Sequence, residues 1–186
     1  GLFKYLFPAT DKRLGSEEDG FPRTFLPIAL ENTDHRIQQG KPVTPAFLYA
    51  VLLWEPFRAH KEDALAQGGN EYDCIQVAAD AAIASQLASV AIPRRYTTQV
   101  REIWVMQYFF DRRRSRQVHR LLENRRFRAG YDFLLLRAEI GQASNDIADW
   151  WTRIQEVDDA ERRNMLNSIP GKPKRRRRPR PRTRDT

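Results

Sequence analysis

Cysteine is almost absent from this 186-residue chain: Cys74 stands alone. That excludes an intrachain disulfide and any cysteine-rich zinc site, and makes a reducing cytoplasm the expected compartment. Long apolar runs are also missing. The longest, Ala46 to Trp54, is under half of the roughly 20 residues a membrane-spanning helix needs, so a soluble protein with no membrane partner is expected. The chain opens on Gly1, and Leu2 to Phe7 is too short and wrongly flanked for a signal peptide. A piece of a longer protein is the expectation.

Catalytic patterns are lacking as well. There is no glycine-rich phosphate loop, no Gly-x-Ser-x-Gly elbow and no His-Glu-x-x-His helix. The histidines His35, His60 and His119 lie far apart, without metal-ligand spacing. Asp158-Asp159 and Glu17-Glu18-Asp19 are sequence neighbours that do not converge on one ion. Cys74 sits in an alanine-rich stretch with no basic neighbour, as a small core residue would. The sequence thus offers no catalytic residue, metal site or cofactor site of its own.

What the chain has is positive charge, unevenly placed. There are 32 Lys+Arg and 24 Asp+Glu, a net charge of +8. Nine of the basic residues and a single acid, Asp185, fall after Gly171, which leaves 23 of each sign in residues 1–170. Within that neutral part, Arg94 to Arg128 holds eleven arginines and only Glu102, Asp111 and Glu123, so the remainder is acidic. Two basic blocks sit on an otherwise acidic protein.

Periodicity predicts helices throughout. A helical face from Phe25 to Ile37 ends near Gly40-Lys41-Pro42. Thr44-Pro45 reads as an N-cap followed by proline at the first helical position. The helix it opens, Pro45 to Gln67, is apolar nearly all round and should be kinked or split by Pro56 before Gly68-Gly69 stops it. Glu71 to Ala91 is alanine-rich, with Ile75, Ala79, Ile83, Leu87 and Val90 on its inner side. Thr97 or Thr98 should cap a helix burying Val100, Ile103, Trp104 and Met106. After a turn at Asp111, Arg113 to Glu123 should bury Val118, Leu121 and Leu122. Phe127 to Ile140 should bury Tyr131, Leu134, Leu135 and Ala138, and Ser144 should cap a last helix through Trp150, Trp151 and Ile154. The expected fold class is all-α: a compact multi-helix body of about six to eight helices over residues 21–169. A linking segment precedes it over 1–20, and a disordered Arg/Pro-rich tail follows over 170–186.

Arginine is the candidate functional residue. Arg112, Arg116 and Arg120 recur at i, i+4 and i+8, which on one helix would align three guanidinium groups opposite Val118, Leu121 and Leu122. Arg94, Arg95, Arg101, Arg113, Arg125, Arg126 and Arg128 extend the positive area, and a polyanion would relieve its self-repulsion. Arginine suits phosphate because its planar fork donates two parallel hydrogen bonds. The alternative is a solvated face whose arginines pair with acids elsewhere. Tyr96, Trp104 and Tyr108 lie among the arginines; Tyr96 is the ring expected to be exposed for base stacking, and Trp104 the one expected in the core. Trp150 and Trp151 cannot both point inward on one helix. In the tail, Lys172, Lys174, Arg175, Arg176, Arg177, Arg178, Arg180, Arg182 and Arg184 form an extended polyanion tether whose binding should be salt-dependent. Acidic lipid headgroups would meet the same charge, but no amphipathic or lipidated anchor adjoins it.

An ordered set of segments runs through the chain: Asn32-Thr33-Asp34-His35-Arg36-Ile37, Thr44-Pro45-Ala46-Phe47-Leu48, Ala91-Ile92-Pro93-Arg94-Arg95-Tyr96-Thr97-Thr98, Leu121-Leu122-Glu123, Phe127-Arg128-Ala129-Gly130-Tyr131-Asp132, Leu136-Arg137-Ala138-Glu139, the Trp150-Trp151 pair and the arginine-rich tail. In this order they resemble the C-terminal region of bacterial poly(A) polymerases, class II nucleotidyltransferases. The resemblance covers nearly the whole chain. It implies a parent enzyme that adds AMP from ATP to RNA 3′ ends and promotes RNA decay. Its catalytic head would carry a Gly-Ser motif and an Asp-x-Asp pair holding two Mg2+ ions. Gly15-Ser16 followed by Glu17-Glu18-Asp19 departs from that pattern, so the head and neck are expected upstream of Gly1, and the present chain is expected to hold RNA. Two other readings stand beside it: the body of a tRNA CCA-adding enzyme, and a helical module docking RNA-decay proteins through Trp150 or Trp151.

Overall fold

Proline, glycine and short polar caps set the helix boundaries in the computed structural model, which describes residues 1–15 and 25–169. The described residues form eleven helices and no strand. They are α1 (Phe3–Leu6), α2 (Pro8–Gly15), α3 (Phe25–Gln38), α4 (Pro45–Leu52), α5 (Trp54–Ala66), α6 (Glu71–Leu87), α7 (Arg94–Arg112), α8 (Ser115–Leu122), α9 (Phe127–Glu139), α10 (Asn145–Glu156) and α11 (Asp159–Asn167). The expected all-α class is observed. The excess over six to eight helices comes from α1, α2 and α11, which the periodicity did not reveal.

Several boundaries follow the local chemistry. Thr44 Oγ1 accepts the Phe47 N–H at 3.3 Å, and Ser144 Oγ accepts the Asp146 N–H at 3.2 Å. Gly40 ends α3 with a φ of 67° and Gly68 follows α5 with 84°, the left-handed region that glycine enters without a Cβ clash. Pro56 splits the long apolar helix at Leu53, between α4 and α5. Having no N–H, it cannot bond the Leu52 carbonyl one turn back. Thr10 of α2 supplies the missing donor at 2.7 Å.

Two expectations about α7 and α8 fail. Thr97 and Thr98 do not cap α7. The helix already starts at Arg94, and both hydroxyls donate back to the Arg94 carbonyl. The turn before α8 falls at Arg113, the only described non-glycine residue with positive φ (37°), and not at Asp111, which stays helical. Burial also departs from expectation at Leu87 and Leu135, which are exposed, while Phe133 and Leu136 take the inner face of α9.

Residues 1–20, read above as a linking segment, include two helices that pack on α5 and α6. Phe3, Phe7 and Leu14 lean on the core, and the buried Gln86 donates to the Leu6 carbonyl at 2.6 Å.

Two aromatic clusters fill the interior. The first centres on Trp104, stacked on Phe57 at 4.4 Å between ring centroids, with Trp54, Phe133 and Phe25 beyond it. The second gathers Phe110, Phe127, Tyr131 and Trp151 from α7, α9 and α10, and Val118 and Leu121 of α8 close it. Burying such rings is the largest stabilising contribution available to a chain of this size. Gly130 lets α9 approach α7 closely, since a Cβ there would lie 2.7 Å from Met106 Sδ and 3.3 Å from the Phe110 ring. Beside it, buried Arg137 ties α9 to Gln107 Oε1 (3.2 Å), Asp111 Oδ2 (3.3 Å) and the Gln142 carbonyl (3.1 Å). No described helix is long and apolar enough to cross a membrane.

Candidate nucleic-acid interface

Helix α7, nineteen residues and about 28 Å long, is the spine of the basic block. At its N-terminus Arg94 and Arg95 are exposed, no acid occupies the first turn and no side chain caps the free N–H groups. Anions are favoured at such an end. Tyr96 is half-buried, its ring 6.4 Å from that of Tyr49, and the Arg95 guanidinium lies 4.8 Å above it and donates to its hydroxyl at 3.1 Å. Only part of this ring is open to a base.

At the other end the chain reverses at Arg113, so Arg112 closes α7 while Arg116 and Arg120 belong to α8. The expected row of three on one helix is therefore two exposed arginines one turn apart. Arg112 turns away to Glu71 of α6 and covers the Tyr108 ring at 4.3 Å. Burial pushes the Glu71 carboxyl up, but Lys61 at 3.0 Å and Arg112 more than offset it and hold it below its ordinary range.

Pairing with acids accounts for four of the eleven arginines. Arg101 meets Asp80, Arg112 meets Glu71, Arg126 meets Glu102 at 2.6 Å and Arg128 meets Asp132 at 2.9 Å. Among the described residues Arg94, Arg95, Arg113, Arg114, Arg116, Arg120 and Arg125 form no ion pair. The Arg126–Glu102 contact brings the α8–α9 turn back beside α7, ten residues before Arg112. Arg113, Arg116, Arg120 and Arg125 thus lie on the stretch of chain between the end of α7 and that turn. Arg113 lies 5.6 Å from the ring of the half-buried Trp150, whereas Trp151 is fully buried and donates to the Phe110 carbonyl at 3.1 Å. Trp104, at 1% exposure, is core.

The ridge leads to a cleft of about 280 Å³ between the α3–α4 loop, α4, α7 and α9. Val43, Phe47, Ile103 and Ala129 form its apolar floor, and Arg36, Arg125, Arg126 and Arg128 its rim. Asp132 is the one acid in the wall, and it takes both Arg36 at 3.3 Å and Arg128 at 2.9 Å. Charge counting missed Arg36, because Glu31 and Asp34 neighbour it in α3 and hide it in an acidic stretch. The N-T-D-H-R-I segment itself was the only signal.

The tail residues from Lys172 to Arg184 lie outside the described residues. Among the described residues no three His, Cys, Asp or Glu side chains converge as metal ligands. Asp158, one of the adjacent carboxylates, caps α11 by accepting the Glu161 N–H at 2.8 Å.

Comparison with known proteins bears directly on this surface. The family described as "Polymerase A arginine-rich C-terminus" matches residues 67–184. The chain is 34% identical to Poly(A) polymerase I of Haemophilus influenzae over 168 residues, which is 89% of this chain and 37% of that protein. It is also 34% identical to Poly(A) polymerase I of Salmonella typhi over 187 residues (98% of this chain, 40% of that protein) and of Escherichia coli O157:H7 over 182 residues (96% and 39%). The chain spans about two fifths of the length of these relatives. It belongs to the bacterial poly(A) polymerase family, as the arginine-rich C-terminal region of such a protein.

Proposed function

We propose that this region holds RNA for a cytoplasmic polynucleotide adenylyltransferase that extends RNA 3′ ends with AMP from ATP. Adenylyl transfer itself is assigned to the part of the relatives' length that this chain does not cover. The observation that carries the reading is the set of seven arginines without an acid partner along α7, α8 and the α8–α9 turn, on a chain whose remaining body is acidic. A predominantly cationic surface beside half-buried aromatic rings suits a single-stranded backbone held without sequence preference. The tail arginines would add a second, extended contact.

Salt titration of RNA binding tests this. Each phosphate neutralised on a single strand contributes about −0.7 to the slope of log affinity against log salt. A steep negative slope is expected with an oligoadenylate, and removal of residues 170–186 should reduce it. A flat salt response would overturn the reading.

A further inference from the structure

The cleft beside α9 has a chemistry that phosphate contact alone does not use. Its rim is cationic, but its floor is apolar, and at about 280 Å³ it is near the lower size limit of small-molecule sites. We propose that it receives one nucleotide of the bound strand, with the base against Phe47 and Ala129 and the 5′-phosphate on Arg125, the rim arginine without an acid partner among the described residues. This rests on RNA being the ligand of the basic surface.

Three features select that occupant. First, the charge is not balanced within the walls. Asp132 is shared between Arg36 and Arg128, Glu102 serves Arg126, and Arg125 has no acid among the described residues. The ligand should therefore be an anion. Second, the floor offers the Phe47 ring and the apolar side of a helix, with Gln99 beside them as amide donor and acceptor. A bare phosphate would leave that apolar surface unused, whereas a base covers it and finds a polar partner for its edge. Third, unpaired cations lie on both sides. Arg95 is one helical turn before Gln99 on α7, and Arg120 lies on the α8 ridge that ends at Arg125. A strand could keep its neighbouring phosphates on arginine while one base turns inward. Bases in a duplex are stacked and paired, so a pocket of this shape favours single strands.

Asp132 is a positioning residue here, because it fixes the Arg36 and Arg128 guanidinium groups at the rim. The ordered segments that carry the family resemblance meet at this point: Arg36, Thr44, Phe47, Arg128, Ala129 and Asp132 come from three of them.

The test uses the full chain with an oligoadenylate carrying a photoreactive base at one internal position, and mass mapping of the crosslinked peptide. Crosslinks within residues 42–47 or 125–132 are expected. Crosslinks confined to α8 or the tail would overturn the proposal. In parallel, Ala129→Met fills the floor from a helical position without changing charge. Affinity should fall about tenfold while the salt slope stays that of the unaltered chain. Unchanged affinity, with an unchanged thermal melt, would sink the base pocket and leave the basic surface standing. A flat salt response of the unaltered chain would instead remove the surface reading itself. Free AMP is the third arm: if it suppresses the cleft crosslink at concentrations where an oligoadenylate of equal total nucleotide does not, the site belongs to a free nucleotide and the strand assignment is wrong.

Discussion

Thr10 donates its hydroxyl hydrogen to the carbonyl of Leu52 at 2.7 Å, the carbonyl that Pro56 leaves without an N–H partner. Thr10 is 1% exposed, so its hydroxyl has no water as a substitute. Thr10→Val keeps the shape and removes the donor, which should cost about 1–3 kcal/mol in urea unfolding. Pro56→Ala restores a backbone N–H one turn below. The double variant should therefore lose less than the two single losses combined, and strict additivity would show that the hydroxyl and the proline are independent.

Glu55 supplies a pH dependence. The residue is 3% exposed, and burial pushes its carboxyl up to about 7, with Arg58, Gln142 and Arg13 opposing that push only in part. Because the folded value lies above the ordinary 4.5, the native state binds more protons than the unfolded chain between these limits. Its stabilising effect is complete below about pH 4.5 and is lost as pH rises through 7. Between pH 5 and 8 the unaltered protein should lose about 2–3 kcal/mol that the Glu55→Gln variant does not lose. Parallel curves for the two proteins would disprove this.

Trp150 and Trp151 are adjacent in sequence and differ in consequence. Trp151 is fully buried against Phe110 and Phe127 and has its indole N–H satisfied, so Trp151→Ala should cost about 3–5 kcal/mol. Trp150 is half-buried under Arg113, and Trp150→Ala should cost about 1 kcal/mol or less. Chemical denaturation of the two variants separates them, and equal losses would contradict the assignment.

Much of this architecture is legible in residue order because its signals are local. A hydroxyl before proline at Thr44-Pro45, a glycine at 40 or 68 and a proline at 56 each act within one turn, and each acts as its chemistry dictates. Helix α11 is not legible, because Leu166 is its one buried residue and no apolar stripe marks it. Leu87 and Leu135 fail for a different reason: which face of a helix is inner depends on its neighbours, and α9 turns Phe133 and Leu136 inward instead. The candidate site shows the same division. The basic block is plain from composition, but its geometry hangs on the single φ of Arg113, which moves Arg112 onto another helix. Arg36 reaches the cleft only through tertiary contact with Asp132, and charge counting along the chain does not see such pairs.

The contrast between paired and unpaired arginines yields the sharpest prediction. Arg101 is held by Asp80 and Arg112 by Glu71, so an RNA phosphate would have to compete with a carboxylate for either. Arg116 and Arg120 are exposed, sit one turn apart and have no acid partner among the described residues. Replacing both by alanine should lower the magnitude of the salt slope by about 1.4, two phosphates at about 0.7 each, and weaken binding to all single-stranded sequences alike. Arg101→Ala with Arg112→Ala removes the same formal charge but should leave the slope nearly unchanged, since Asp80 and Glu71 are released at the same time. Affinity of the two double variants for one oligoadenylate, followed from low to moderate salt, decides the matter. Equal slopes would mean that net charge alone governs binding and that the ridge along α8 has no special part in it.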